Sequence, residues 1–256
     1  CVKDSLFKSV LAAAEQWNYY RMGVYNDIDA YIAPSAFVRD KVGSSGFTSR
    51  PIYHFKNLLS MDTVYGKTAE REDYILYFGR LSREKGLPTL LRAVSLMEQK
   101  KRLYVAGTGD LRPMLEQFVA ENHLEDRVRF LGFLSGEELE STIRRARCVV
   151  LASEWYENGP YAIAEASACG TPCIVSNLGG LPEAVEDGVN GYVCQAGNAG
   201  DLAQKMDRIF TLSPEEYEAM CQAAVEKAKR DYNAQAYLDK LLALYTELLE
   251  QKRRNP

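Results

Sequence analysis

From Asp73 onward the chain repeats one pattern: a short aliphatic and aromatic run, a turn, then a longer segment of helical periodicity. Tyr74 to Phe78, Leu103 to Ala106, Val128 to Leu131, Arg147 to Leu151, Cys173 to Ser176 and Gly191 to Cys194 read as strands. Strands joined through helices pair in parallel, because parallel neighbours need a crossover connection and cannot be made by a tight hairpin. The alternation therefore predicts an α/β fold, a Rossmann-like parallel sheet with helices on both faces. Such sheets bind ligands beyond the carboxyl ends of their strands. The loops that follow each strand are where chemistry is to be sought.

After the first strand come Gly79, Arg80, Leu81, Ser82, Arg83, Glu84, Lys85 and Gly86. Ser82 is placed to cap a helix running to Met97, which leaves Arg80 and Lys85 around the strand's end; by themselves they also read as solvated cations in a charged turn. After the second strand, Gly107, Thr108 and Gly109 suggest a dinucleotide fingerprint, but the third glycine is missing and position 112 is Arg. A helix is expected from Asp110 to Glu121. Gly132, Phe133 and Leu134 form the exit of the third strand, and Ser135 with Glu138 fits a capping box for a helix to Ala146.

The fourth strand leads to the most informative stretch, Ser153 to Gly191. Glu157, Asn158, Gly159 and Pro160 precede an Ala-rich segment, Tyr161 to Cys169, that reads as a helix ending at Gly170. One carboxylate, Glu157, stands just outside the helix start. A second, Glu165, lies about five residues in, roughly 7 to 8 Å along the axis. Between them the free N–H groups of the first turn and the positive end of the helix dipole make an anion site. The arrangement suggests a phosphate held between two hydroxyl-binding glutamates. Taken singly, Glu157 also fits a solvated loop, and Glu165 a core carboxylate paired with an Arg or an exposed helix face. Gly179 and Gly180 are expected to turn the chain into a short helix through Glu186.

Glu157, seven residues, then Glu165, followed by Ala166, Gly170, Pro172, Gly179, Gly180, Glu183 and Gly191, resembles the signature of the retaining family 4 (group 1) glycosyltransferases. The run Gly79, Arg80, Leu81 with Lys85 and Gly86 is similar to that family's phosphate-gripping element. The resemblance implies a GT-B fold of two Rossmann-like domains, this chain carrying the C-terminal, donor-binding one. It implies that Arg80 and Lys85 grip the diphosphate and that Glu157 reads a donor-sugar hydroxyl. It also implies that Glu165 holds the ribose, that the amides near Gly159, Pro160, Tyr161 and Ala162 face the phosphates, and that the base lies against the backbone of Phe133 and Leu134. The activity implied is that of a retaining hexosyltransferase using a UDP-sugar first and a GDP-sugar second, with no divalent ion and no covalent carboxylate nucleophile. Asn158, Gly159 and Pro160 replace the aromatic and glycine the family commonly places after its first Glu, so the sugar pocket is expected to differ in shape. A nucleotide-sugar epimerase on the same frame and a binding module without catalysis are the alternatives.

The remaining segments are read around that core. Cys1 to Tyr25 forms an amphipathic helix already under way at a non-Met residue, so the chain is expected to be a fragment, inactive alone, whose sugar or glycan acceptor would be held by a missing N-terminal domain. Asp29 to Ala33 reads as a strand, Pro34 and Ser35 open a helix toward Val42, Gly43 to Gly46 turn, and Pro51 to Asn57 is a strand crossing into the next domain. Phe37 follows Pro-Ser as it does in the family. Asp201 to Phe210, Pro214 to Arg230 and Tyr237 to Leu249 are amphipathic helices, and Lys252 to Arg254 a solvated tail. The expected divisions are 1–50 as the end of the N-terminal domain, 51–72 as crossing strand and linker, 73–232 as the donor domain, and 233–256 as a helix returning to the N-terminal domain.

A net charge of -4 without a basic stripe argues against nucleic acid as partner. The six cysteines lack a repeated C-x-x-C and are expected as reduced, buried thiols; with only two histidines, no tightly held metal is expected. No apolar run approaches the roughly 18 residues of a membrane span and no signal peptide opens the chain, so membrane association is not indicated and a cytoplasmic setting is expected.

Overall fold

A computed structural model describes residues 5–66 and 70–254. Cys1, the first turn expected of the N-terminal helix, and three linker residues lie outside the described residues. The chain divides into two units, one of residues Cys1–Phe55 with Lys240–Pro256, the other Lys56–Asp239.

In the first unit, α1 (Leu6–Arg21) is capped by Ser5 and buries none of its residues. A β-α-β element follows, made of β1 (Tyr31–Ala33), α2 (Ala36–Ser44) and β2 (Ile52–His54), with β1 and β2 pairing in parallel. Ser35 accepts from the Val38 N–H at 3.2 Å and so starts α2 where Pro-Ser predicts it. The helix then runs through Gly43, where a turn was expected, and both strands are shorter than their apolar runs suggest. Two three-residue strands with only each other to pair with end as soon as the ladder does.

The second unit is built on β3 (Tyr74–Phe78), α3 (Leu87–Leu96), β4 (Arg102–Ala106), α4 (Arg112–Glu121), β5 (Val128–Gly132), α5 (Gly136–Arg145) and β6 (Cys148–Leu151). It continues with α6 (Tyr161–Ala168), β7 (Cys173–Ser176), α7 (Leu181–Ala184), β8 (Gly191–Cys194), α8 (Ala199–Phe210), α9 (Pro214–Asp231) and the start of α10 (Ala234–Arg254), whose residues from Lys240 on belong to the first unit. The six strands pair in parallel in the order β5-β4-β3-β6-β7-β8. All residues of β3, β6 and β7 are buried, as a sheet covered on both faces requires. Alternation along β3 divides the core: Ile75 and Tyr77 pack with α3, α4, α8 and α9, while Tyr74, Leu76 and Phe78 pack with α5, α6 and α7. The α/β sheet with helices on both faces is thus the expected one. From β3 the chain moves outward through β4 and β5, then returns to place β6 on the other side of β3. That reversal opens a crevice between the ends of β3 and β6.

Local chemistry corrects several helix starts. Ser82 does not begin α3: residues Arg83–Lys85 form one 3-10 turn, Gly86 breaks it with φ 66°, and α3 starts afterwards. The Ser135–Glu138 capping box does not form, since Ser135 makes no side-chain cap bond. A box forms instead at Ser213 and Glu216, with bonds of 3.2 and 2.8 Å. The Asp110 turn precedes α4, which begins at Arg112 ahead of Pro113. Lys252 to Arg254 are exposed, as expected of a solvated tail, and form the last turn of α10. Cys148, Cys169, Cys173, Cys194 and Cys221 are buried free thiols, and burial raises each one's pKa.

Candidate functional site

The loops leaving β3 and β6 meet at the crevice. Gly86 allows it: a Cβ there would stand 1.8 Å from the Ala152 carbonyl oxygen, so any side chain would push the loops apart. The Glu154 N–H donates to the Glu84 carbonyl at 2.9 Å and fastens them. Gly107 and Gly109 serve the same purpose from the β4 side. Their absent Cβ atoms would lie 1.8 Å from the Gly79 carbonyl oxygen and 2.2 Å from that of Leu81. The Gly-x-Gly therefore packs against the Arg80 loop, which explains its form without a dinucleotide. Tyr77 Oη donates to the Arg80 carbonyl at 2.7 Å and fixes the loop's first turn.

Arg80, Lys85, Glu157, Pro160, Tyr161 and Ala162 surround one cavity of about 390 Å³ with Ser153 and the end of β3. Lys85 Nζ lies 2.6 Å from Glu157 Oε1, and Ser153 Oγ donates to the same oxygen at 2.8 Å. Both contacts fall on Oε1, leaving Oε2 for another partner. Arg80 pairs with Glu84 at 3.1 Å but is largely exposed, so most of its guanidinium donors stay open. The Glu84 carboxyl is held below its ordinary value by the Ser82 hydroxyl first, then by its own backbone N–H, with Arg80 a smaller cause. Pro160 occupies the N-cap of α6 and supplies neither an N–H nor a side-chain cap. The Ile163 N–H is bonded to Pro160 O at 3.2 Å, which leaves the Tyr161 and Ala162 N–H groups to face the cavity unbonded among the described residues.

Phe133 and Leu134 line a neighbouring cavity of about 830 Å³, which shares Phe78, Gly79 and Arg80 with the first. Glu165 does not face either one. It lines a third cavity, of about 350 Å³, with Ser60, Thr63, Leu139 and Arg144, and shares Leu139 with the second. The two glutamates thus line different cavities, each of which shares lining residues with the one beside Phe133 and Leu134. No hydrogen bond or ion pair to the Glu165 carboxylate occurs among the described residues, and burial raises its pKa.

Residues outside the expected site complete the arrangement. Gly179, at φ 64°, would bring a Cβ within 2.7 Å of the Glu157 nitrogen and 2.8 Å of its oxygen, and the Gly180 N–H donates to Glu157 O at 2.8 Å. The paired glycines are thus the seat on which Glu157 rests. Ser153 and Glu84 orient the two charged pairs. Asn57, in the segment read as a crossing strand, donates its side-chain N–H to the Gly159 carbonyl at 2.6 Å. The doublet at 179–180 could have been tied to Glu157 from the sequence pattern; nothing local marks Asn57, which acts across 102 positions. No group of three or more potential metal ligands occurs among the described residues, and no described helix is long and apolar enough to cross a membrane.

Residues 65–230 match the family described as Glycosyl transferases group 1. The chain is 37% identical over 142 residues to an uncharacterized glycosyltransferase of Methanocaldococcus jannaschii, covering 55% of this chain and 36% of that one. It is 30% identical over 197 residues to the alpha-D-kanosaminyltransferase of Streptomyces kanamyceticus, covering 73% of this chain and 50% of the relative. Half or less of the length of these curated relatives is therefore spanned. Among solved structures, Anabaena HepE in complex with UDP-glucose superposes with a TM-score of 0.78 at 21% identity, covering 86% of this chain and 64% of that one.

Proposed function

The chain belongs to the glycosyl transferases group 1, and from that premise we propose that it is the donor-binding half of a retaining hexosyltransferase that takes a UDP-sugar, with a GDP-sugar as the second choice. One observation carries the reading: two cations, the open amides of a helix start and a half-buried glutamate share one cavity at the sheet's reversal point. Sugar transfer builds negative charge on the departing diphosphate, and preorganised donors in a partly dry site stabilise it more than water does. Arg80, Lys85 and the Tyr161 and Ala162 amides are those donors. Glu157 Oε2 accepts from a sugar hydroxyl while Oε1 stays with Lys85 and Ser153.

Three adjoining recesses would take the parts of the donor in turn. Its diphosphate and sugar occupy the cavity at the start of α6, its base lies against Phe133 and Leu134, and the ribose hydroxyls reach the carboxylate of Glu165, which has no other partner among the described residues. HepE, of the same fold, holds UDP-glucose, which agrees with such a donor. The acceptor would be held by a further, N-terminal domain, and this chain alone would bind donor without transfer.

Calorimetry of the chain with UDP, GDP and ADP tests the proposal. Saturable binding of one of them, lost in Glu165→Ala, supports it. Binding of none would leave the chain an interaction module.

A further inference from the structure

The mouth of α6 is held from outside the cavity it opens onto. Gly159 and Asn57 do not line that cavity, yet the Asn57 side-chain amide engages the Gly159 carbonyl, which directly precedes the Pro160 N-cap of α6. Asn57 is itself firmly seated. The preceding residue, Lys56, pairs with Asp231 at 2.7 Å, both side chains being mostly covered. Two residues on, the Leu59 N–H donates to the Tyr232 carbonyl at 3.0 Å, and Leu59 packs against Ala164, Ala168, Ala228 and Tyr232. Residues 56–59 thus grip α6 twice, along its flank through Leu59 and at its start through Asn57.

We propose that Asn57 is a positioning residue for the diphosphate end of the donor site, an inference that rests on the donor-binding reading above. An anion at the start of α6 is attracted by the Tyr161 and Ala162 N–H groups and repelled by any carbonyl oxygen turned toward it. Proline at 160 makes the preceding peptide critical, because position 160 has no N–H to offset a carbonyl that swings inward. Asn57 removes that alternative: its N–H donates to Gly159 O and fixes the Gly159–Pro160 peptide with the oxygen engaged away from the cavity. Without this bond Gly159, lacking a side chain, is free to rotate its carbonyl into the anion's path. Asn57 touches no reacting atom; it acts through Gly159.

The test separates the phosphates from the rest of the ligand. The chain is titrated with UDP and uridine, and with GDP and guanosine, in the wild type, Asn57→Ala and the isosteric Asn57→Asp. The expected result is a loss of about tenfold in affinity for the nucleoside diphosphate in N57A, the weight of one hydrogen bond. A larger loss is expected in N57D, whose carboxylate cannot donate and repels the Gly159 oxygen. Nucleoside affinity stays within about twofold in both. Equal losses for nucleoside and diphosphate indicate a general structural role and overturn the inference, as does unchanged diphosphate binding in both variants. A wild type that binds neither nucleotide overturns the donor reading itself, and this inference with it.

Discussion

Lys85 has two separable duties, neutralising Glu157 and meeting the diphosphate, and a double-mutant cycle distinguishes them. At 2.6 Å and an effective dielectric of about 20, the pair's attraction is about 6 kcal/mol. Desolvating each ion offsets several kcal/mol of this. With side chains 23% and 14% exposed, the pair lies between the surface and buried cases, and a net coupling of about 1–3 kcal/mol is expected. Lys85→Met strands the less exposed charge with only Ser153 as donor and should cost about 2 kcal/mol; Glu157→Gln, which leaves a lysine able to reach water, should cost about 1 kcal/mol. The double variant should recover most of the difference. Urea unfolding of the four proteins measures this, and UDP titration of the same four measures the second duty. Nucleotide affinity should fall at least tenfold in Lys85→Met and stay low in the double variant, because removing Glu157 does not restore a cation. A coupling below about 0.5 kcal/mol would refute the ion pair, and restored UDP affinity in the double variant would refute any contact between Lys85 and phosphate.

Gly179→Ala should lose about 2–4 kcal/mol of stability, from a left-handed residue and a collision with the Glu157 backbone, whereas Gly188→Ala, at φ 80° with open space around it, should lose only about 1 kcal/mol; denaturant midpoints compare them. Burial raises the Glu165 pKa, so the folded chain holds that proton more tightly than the unfolded chain. Its contribution to stability is therefore full below the ordinary carboxylate value and is lost as pH rises through the raised one. Glu165→Gln should flatten this part of a stability-versus-pH curve measured by urea unfolding. Arg71 donates to the carbonyls of Arg144, Ala146, Cys169 and Gly170 and to Thr171 Oγ1, joining the carboxyl ends of α5 and α6. Arg71→Met should cost about 3 kcal/mol or more by the same measurement, since several buried acceptors lose a charged donor together.

Much of the fold was legible because it rests on signals that neighbours in sequence supply. Apolar runs such as Tyr74 to Phe78 and Cys148 to Leu151 can only be satisfied in a sheet covered on both faces, and the segments between them can only be the covers. Helix starts were less legible. Ser82 and Ser135 carry the capping residue type, yet Gly86 breaks the first turn and Ser135 makes no cap bond, since capping depends on backbone angles that the loop's packing sets.

The site divides in the same way. The sequence alone determined that Arg80, Lys85, Glu157 and the start of α6 would gather at the carboxyl edge, because strand ends and helix starts are local and parallel topology brings them to one side. Only the tertiary structure decided which groups share a cavity. It set Glu165 and Glu157 in different cavities, paired Lys85 with Glu157, seated Glu157 on Gly179 and Gly180, and reached back to Asn57 for the peptide ahead of the helix. The physical reason is range: hydrophobic period and chain direction are fixed over a few residues, whereas side-chain partners are fixed by close approaches between segments tens of positions apart, where a fraction of an ångström settles which pair forms.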